Sequence, residues 1–494
     1  MRFAVILFSL AVLTACSGSD AGGPLDVAII GENDDMQIAN VASLSPAAQH
    51  VRAATVEGLV GLDPSGEILP AIAERWIVTD DGMSYIFRLR DSTWVSGDPI
   101  TAEDIRDGLQ AKIATLEGTS LGQDLAKVDQ IRAMTGRVIE IQLKSPMPDF
   151  LRLLAQAEMG LEREGDGVGP MERTTDADAA IIELVALPPE ARGLPARQNW
   201  EASTRPLFLR TTSAQRAVDM FATGEADLVL GGTLAHLPMA DTGPLSTGTV
   251  RLDAPLGLFG LQIMHDNGLL ADPGVREAIA MAIDRSDLMQ PFNFGGWQAS
   301  TWIYPVAFSG PGGQQEERWA QLSLAERRAI ASRRVSGWKT SDAAAQSEGV
   351  AQVSIALPAG PGSDLLFEQL REDLSGIGVE AVRAIGDDPA DLVLRDHPAR
   401  YYSQRWYLNQ FHCSLEFGLC STEADELVAE ALEARDFVAK NQIYAEAQDA
   451  LIAEQVFIPL GQPVRWSLVR AGVGGFEENQ WGLHALFPLA LDPT

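Results

Sequence analysis

Cysteine, histidine and positive charge are all scarce in this chain. Only three cysteines occur in 494 residues, at 16, 413 and 420, so no more than one disulfide forms within the chain. The six histidines stand scattered at 50, 236, 265, 397, 412 and 484, a poor start for a metal centre, and no metal or cofactor is expected. Lys and Arg number 37 against 68 Asp and Glu, a formal net charge of −31. No Lys/Arg run offsets it, which excludes a general nucleic-acid binder, because a phosphate backbone demands a basic surface. The same self-repulsion favours a soluble monomer. No internal apolar run approaches about eighteen residues, so no internal membrane span is expected. His-Glu-x-x-His, Gly-Lys-Ser/Thr and a complete Gly-x-Gly-x-x-Gly are also missing.

What is present begins at the amino terminus. Arg2 is the only charge before the apolar stretch 4–13, followed by Thr14, Ala15 and Cys16. About ten residues span roughly 15 Å as a helix, short of a ~30 Å hydrocarbon core. Residues 1–15 therefore read as a secretory signal. Leu13-Thr14-Ala15-Cys16 resembles a bacterial lipobox, in which the cysteine becomes the lipidated first residue. An ordinary signal with an unmodified Cys16 is the alternative. Residues 16–23, rich in Gly and Ser, form a short tether. An envelope location permits Cys413 and Cys420 to pair as a disulfide. The alternatives are a zinc pair, for which only His412 adjoins, and two buried free thiols.

Along the chain the pattern is strand–helix–strand. Residues 353–357 form an apolar strand, Ser363 caps a helix with Leu366, Leu370, Leu374 and Ile377 on one face, and Gly378 ends it. Strands follow at 379–385 and 391–394. Asp272-Pro273 opens a second helix, and Thr101 with Asp104 a third. This is the rhythm of an α/β fold with a parallel or mixed sheet. Ala226-Asp227-Leu228-Val229-Leu230 recurs at 390–394, as two similarly built lobes would produce, with a ligand cleft between them. From 56 to 104 short alternating runs are broken by Asp63-Pro64-Ser65-Gly66 and Asp80-Asp81-Gly82, turn signals of antiparallel strands added to the first lobe.

Several of these segments resemble one family. They are Val56-Glu57-Gly58-Leu59-Val60-Gly61-Leu62-Asp63, Leu69-Pro70-Ala71-Ile72-Ala73-Glu74-Arg75-Trp76 and Gly97-Asp98-Pro99-Ile100-Thr101-Ala102-Glu103-Asp104. Val168-Gly169-Pro170, Gly224-Glu225-Ala226-Asp227, the stretch from Asp272 to Arg285, Ile377-Gly378-Val379 and Phe457-Ile458-Pro459-Leu460 continue it. Collinear over most of the chain, they are similar to the family 5 extracytoplasmic solute-binding proteins of peptide-type ABC importers. The resemblance implies a two-lobe periplasmic-binding-protein fold (type II, large cluster) with a hinge. Lobe I would be 24–254 plus 466–494, with an extra β-rich subdomain at about 45–165, and lobe II 255–465. It also implies capture of a peptide, or a non-peptide solute such as a metal chelate or saccharide, and delivery to an inner-membrane permease.

The ligand candidates lie after the second pentapeptide: Arg395, Asp396, His397, Tyr401, Tyr402, Arg405, Trp406 and Asn409, with Trp302 as a further pocket wall. By resemblance, Asp396 stands where relatives pair a carboxylate with the ligand's amino terminus. Some dipeptide binders carry an Arg in the loop after the first strand of the lobe II β-α-β unit. This chain has Gly360-Pro361-Gly362 there, which argues against carboxylate-clamped dipeptides. The Cys413/Cys420 pair resembles a disulfide of some relatives. One enzyme signature occurs, Gly118-Thr119-Ser120-Leu121-Gly122, the Gly-x-Ser-x-Gly of serine hydrolases. It needs a strand before the serine, whereas the pattern predicts a helix and turn, so no enzyme is expected.

Overall fold

The computed structural model describes residues 23–491 except 33–35, 37, 39, 175–179, 241–248, 294, 309–315, 342–349 and 387. The signal segment and Cys16 lie outside the described residues. Two mixed sheets organise the chain. The larger has seven strands in the order Met171–Arg173, Ile182–Ala186, Leu207–Thr212, Leu25–Ile30, Leu228–Thr233, Arg465–Val469, Val250–Asp253. The smaller has five: Glu380–Arg383, Gln352–Ala356, Leu392–Pro398, Gly257–Ile263, Phe457–Gly461. In each, three adjacent strands run parallel and the strands bordering them pair antiparallel. The chain passes from the first sheet to the second at 254–256 and returns at 462–464.

The repeated pentapeptide marks equivalent strands. Leu228–Thr233 and Leu392–Pro398 each pair parallel on one side and antiparallel on the other. Asp227 accepts the backbone N–H of Asp26 on the parallel neighbour, and Asp391 that of Ser354 on its own. The repeat is thus an aspartate that ties the start of a central strand to the strand beside it.

Local signals set the helices. Thr101 and Asp104 form a reciprocal capping box on Ala102–Thr115, and Asp272 caps Pro273–Ala282. Gly224, at φ +83°, ends Ala214–Thr223 in the left-handed conformation that closes a helix without a Cβ penalty. Two boundaries differ from the sequence expectation. The helix assigned to Ser363 begins earlier, as Pro361–Ser375, because the proline ring supplies the first-turn φ and Ser363 is buried inside. The strand placed at 391–394 continues to Pro398, held by seven-residue pairing with Gly257–Ile263. Arg395, Asp396 and His397 are therefore strand residues with alternating faces, not loop residues.

A four-stranded antiparallel sheet, Ala73–Val78, Ser84–Leu89, Val138–Leu143, Val128–Ala133, is inserted in the first lobe's chain with a turn at Asp80-Asp81-Gly82, and Asp63-Pro64-Ser65-Gly66 turns the separate hairpin of Val60–Leu62 and Ile68–Pro70. Its core is not its own. Phe87, Ile105, Leu109 and Phe150 share one cluster with Trp406, Tyr407, Phe411, Tyr444 and Leu451 of the second lobe's helices. The insertion packs across to the second lobe, which the sequence, read segment by segment, did not indicate.

Candidate functional site

In open α/β sheets ligands bind beyond the carboxyl ends of parallel strands. Here those ends come from both lobes and meet. Leu234–Met239, a short helical segment following Leu228–Thr233, lies against the start of Pro361–Ser375. The approach is backbone to backbone: a Cβ on Gly362 would stand 2.0 Å from the Leu234 carbonyl oxygen, and one on Gly360 2.4 Å from that of Ala235. Leu234 is itself buried in the second lobe's core. This explains Gly360-Pro361-Gly362. The first lobe occupies the position, and a side chain there would force the lobes apart. At the crossings a cavity of about 80 Å³ is lined by Asp253, Trp297, Pro463 and their neighbours.

The strand end beside this contact carries charge. Asp396 accepts from Arg465 Nη1 at 2.8 Å, and its carbonyl accepts from Nη2 at 3.0 Å. Arg465 sits at the return crossing, opposite Thr233, so the pair joins the two sheets. The Asp396 carboxylate, expected to face a ligand ammonium, is neutralised by this internal partner. Arg395 and His397 share the other strand face. His397 reaches solvent. Enclosure by the surrounding protein, then repulsion from Arg395, Arg465 and Arg400, holds its pKa below the usual value, which favours the neutral ring. Arg400 is held by Glu158 at 2.9 Å and Gln156 at 3.2 Å. Arg395 is 9% exposed and lies over the Phe417 ring at 4.7 Å.

The remaining residues are held elsewhere. Tyr401, Arg405, Trp406 and Asn409 are buried between the second lobe and the inserted subdomain. Asp124 gathers three of them: its Oδ1 accepts from Tyr401 Oη at 2.9 Å and Asn409 Nδ2 at 2.7 Å, while its carbonyl accepts from Arg405 Nη1 at 3.0 Å. Burial, outweighing the pull of Arg405 and these bonds, raises the Asp124 pKa to about 6. Trp406 packs edge-on to Tyr407 at 4.9 Å within that core. These side chains join subdomain to lobe instead of lining an open pocket. Tyr402 stacks on Trp481 at 4.1 Å and donates to the Gln480 carbonyl, a further link between the lobes. Trp302 donates to the Glu316 carbonyl at 3.0 Å, tied within its own loop.

Cys413 and Cys420 are disulfide-bonded, and the loop they close presents Phe417 to Arg395. Among the described residues no group of three His, Cys, Asp or Glu could hold a metal ion, and no helix is long and apolar enough to cross a membrane. Ser120 begins the short helix Ser120–Leu125 after a helix and a turn, so the strand that a nucleophile elbow requires is absent around it. The sequence reading missed Arg465, Asp124 and Phe417. Phe417 alone had a local signal, its place between two cysteines.

A family model described as bacterial extracellular solute-binding proteins, family 5, matches residues 67–178 and 207–408. A probable di/tripeptide-binding protein 5 of Pseudomonas aeruginosa (strain UCBPP-PA14) is 24% identical over 492 residues, covering 84% of this chain and 86% of the relative. Haemophilus influenzae OppA in complex with RPPGFSPFR superposes with a TM-score of 0.76 at 17% identity, over 95% of this chain and 99% of that one. The Escherichia coli murein tripeptide binding protein MppA gives 0.76 at 17%, over 96% and 99%. Its unliganded open form gives 0.61 at 17%, over 94% and 97%.

Proposed function

Since this chain belongs to family 5 of the bacterial extracellular solute-binding proteins, we propose that it captures a peptide in the crevice between its lobes. It then delivers the peptide to an inner-membrane ABC permease. In this reading lobe I comprises 24–254 plus 466–494, with the inserted subdomain at about 45–165, and lobe II 255–465. Cys16 carries the lipid that keeps the protein at a membrane, and no catalytic step is involved. The observation that carries the reading is the meeting of two sets of parallel-strand carboxyl ends at a double chain crossing. A solute touching both lobes favours the closed form, so binding shifts a hinge equilibrium that the permease can sense. The name of the P. aeruginosa relative supports a small peptide.

The test is native mass spectrometry of a secreted form lacking Cys16, recovered from the envelope with whatever it has bound. A bound mass that fragments as a peptide supports the reading. A bound non-peptide mass overturns the substrate class and leaves the family assignment standing.

A further inference from the structure

A cavity of about 260 Å³ lies beside the five-stranded sheet, between the end of the helix Pro273–Ala282, the loop 299–301 and the start of the helix Leu324–Trp338. Three guanidiniums line it, those of Arg285, Arg318 and Arg327. In a chain with 68 acids to 37 bases, such a gathering of cations is out of proportion. Arg285 is 6% exposed and meets only carbonyls: Nε donates to Pro459 at 2.7 Å and Nη1 to Ala280 at 3.0 Å, while Nη2 is buried with no acceptor. Among the described residues neither Arg285 nor Arg327 forms an ion pair. The neighbouring acids are committed elsewhere, Asp373 to Arg328 and Glu277 to both Arg318 and Arg334. The two acids on the wall are engaged as acceptors. Glu317 Oε2 takes the Thr301 N–H at 2.8 Å, and Asp284 Oδ1 takes that of Ser286 at 3.2 Å.

The cations therefore face one another. Burial, then the charges of Arg327 and Arg318, pull the Arg285 pKa down to about 9, with Glu317 and Asp373 acting against them. Arg318 and Arg285 also stand over the Trp319 ring, at 4.3 and 6.0 Å. Trp319 has φ +61°, the left-handed region that a bulky side chain enters only under strain. A buried N–H without an acceptor, beside a cavity ringed by further cations, calls for an anion. A carboxylate presents two oxygens in one plane and suits one guanidinium fork. Three guanidiniums around one space suit a dianion whose oxygens point in several directions. The floor is recessed, since Thr301 like Arg285 is less than a tenth exposed, so a flat bilayer surface does not reach it.

We propose that this cavity is a second ligand site, which holds a soluble tetrahedral oxyanion of the phosphate type between Arg285, Arg318 and Arg327. It lies apart from the crevice: the strand Phe457–Gly461, to which Arg285 donates, is two places from Leu392–Pro398 in the sheet. The inference does not rest on the peptide reading. It is tested on the secreted form lacking Cys16, stripped and held in buffer free of phosphate and sulfate. Titration calorimetry and thermal melting are run with inorganic phosphate, against sodium chloride at matched ionic strength. The variants are Arg327→Gln and Arg333→Gln, the second removing the same charge from an exposed position on the same helix. Arg285 is left intact because it also holds backbone carbonyls. Wild type should bind one phosphate saturably and melt higher with it than with chloride. Arg327→Gln should bind at least ~10-fold more weakly and Arg333→Gln as wild type. Without phosphate, Arg327→Gln should melt no lower than wild type, because it relieves repulsion among the three cations. A melting shift that chloride reproduces overturns the proposal, as does the absence of saturable binding. Equal affinity in wild type and Arg327→Gln overturns it too, by placing the phosphate elsewhere. Competition by glycerol phosphate supports the site as one for an organic phosphate, and its exclusion supports one for the free ion.

Discussion

Gly362→Ala isolates the contact between the lobes from the stability of either one. Gly362 is the second residue of the helix Pro361–Ser375 and is not at a positive φ. Alanine is therefore the better helix former there by ~1 kcal/mol. Yet its Cβ would stand 2.0 Å from the Leu234 carbonyl oxygen and 3.0 Å from that of Ala235. Carbon and oxygen do not approach that closely, so the helix and the 234–239 segment must separate. Overpacking of this kind costs about 1–3 kcal/mol, and only the closed form bears it, which weakens solute retention ~5- to 150-fold. Gly337→Ala is the matched control. Gly337 lies inside the helix Leu324–Trp338, and an added methyl there would meet nothing within 4 Å.

The assay combines occupancy by native mass spectrometry with thermal melting of stripped protein. Gly337→Ala should melt slightly higher than wild type and hold as much solute. Gly362→Ala should come out largely empty while its stripped form melts close to wild type, since the gain in propensity is confined to one lobe. Small-angle scattering of the solute-exposed variant should show a larger radius of gyration than wild type. Full occupancy together with wild-type dimensions would falsify the argument that these glycines exist for lobe closure.

Two buried groups should titrate against each other. Burial, then the nearby His484, hold His50 down to about 4 against the usual 6.5, so its contribution is intact above about 6.5 and is lost as pH falls through about 4. Asp124 is raised to about 6, so its contribution is full below 3.8 and is lost as pH rises through about 6. Asp124→Asn, which keeps the carbonyl acceptor, should therefore steepen the stability lost between about pH 7 and about pH 4.5 by about 2 kcal/mol. Urea unfolding at the two pH values measures this, and an unchanged slope counts against a proton-linked Asp124. Replacing both Cys413 and Cys420 with Ser should cost about 2.5 kcal/mol for so short a loop, read from the same denaturant curves, and intact mass before and after reduction should show two protected thiols in the native protein. Cys16→Ala should move the protein from the detergent phase to the aqueous phase of a cloud-point partition; an aqueous-phase wild type would remove the lipid anchor.

How far the sequence could be read depended on the distance over which each feature is decided. The capping box of Thr101 and Asp104, the Asp-Pro start at 272–273 and the left-handed stop at Gly224 are settled within four residues, and the structure carries all three. The crevice is decided over much longer separations. Asp396 meets Arg465 from 69 residues away, and Tyr401 meets Asp124 from 277. No local pattern marks Arg465 as a partner, and nothing near 401–409 announces that the inserted subdomain will cover it. Tyr401, Arg405, Trp406 and Asn409 are aromatic and polar in a way that suits a ligand wall. The same composition suits a buried contact between lobe and subdomain, and only the path of the chain tells the two apart.

The two copies of Ala-Asp-Leu-Val-Leu show how the fold separates framework from function. At their starts both strands are alike, each aspartate accepting an N–H from the parallel neighbour. At their ends they diverge. After Leu230 come Gly231, Gly232 and Thr233; after Leu394, in the same register, come Arg395, Asp396 and His397. The glycines answer a steric demand, since a Cβ on Gly232 would sit 2.2 Å from the Trp466 ring, which needs that space to bring Arg465 to the crossing. The charged triplet opposite then uses what the glycines admit: Asp396 takes Arg465, and Arg395 is left unpaired. One sheet contributes room and a cation that fixes the other's strand end, and the other contributes the free charge. Exchanging the two triplets would keep both sheets' registers but block Trp466 in one lobe and remove Arg395 from the other. Such a protein should keep the sheet content of wild type by circular dichroism and bind no solute, and retained binding would refute this division of roles.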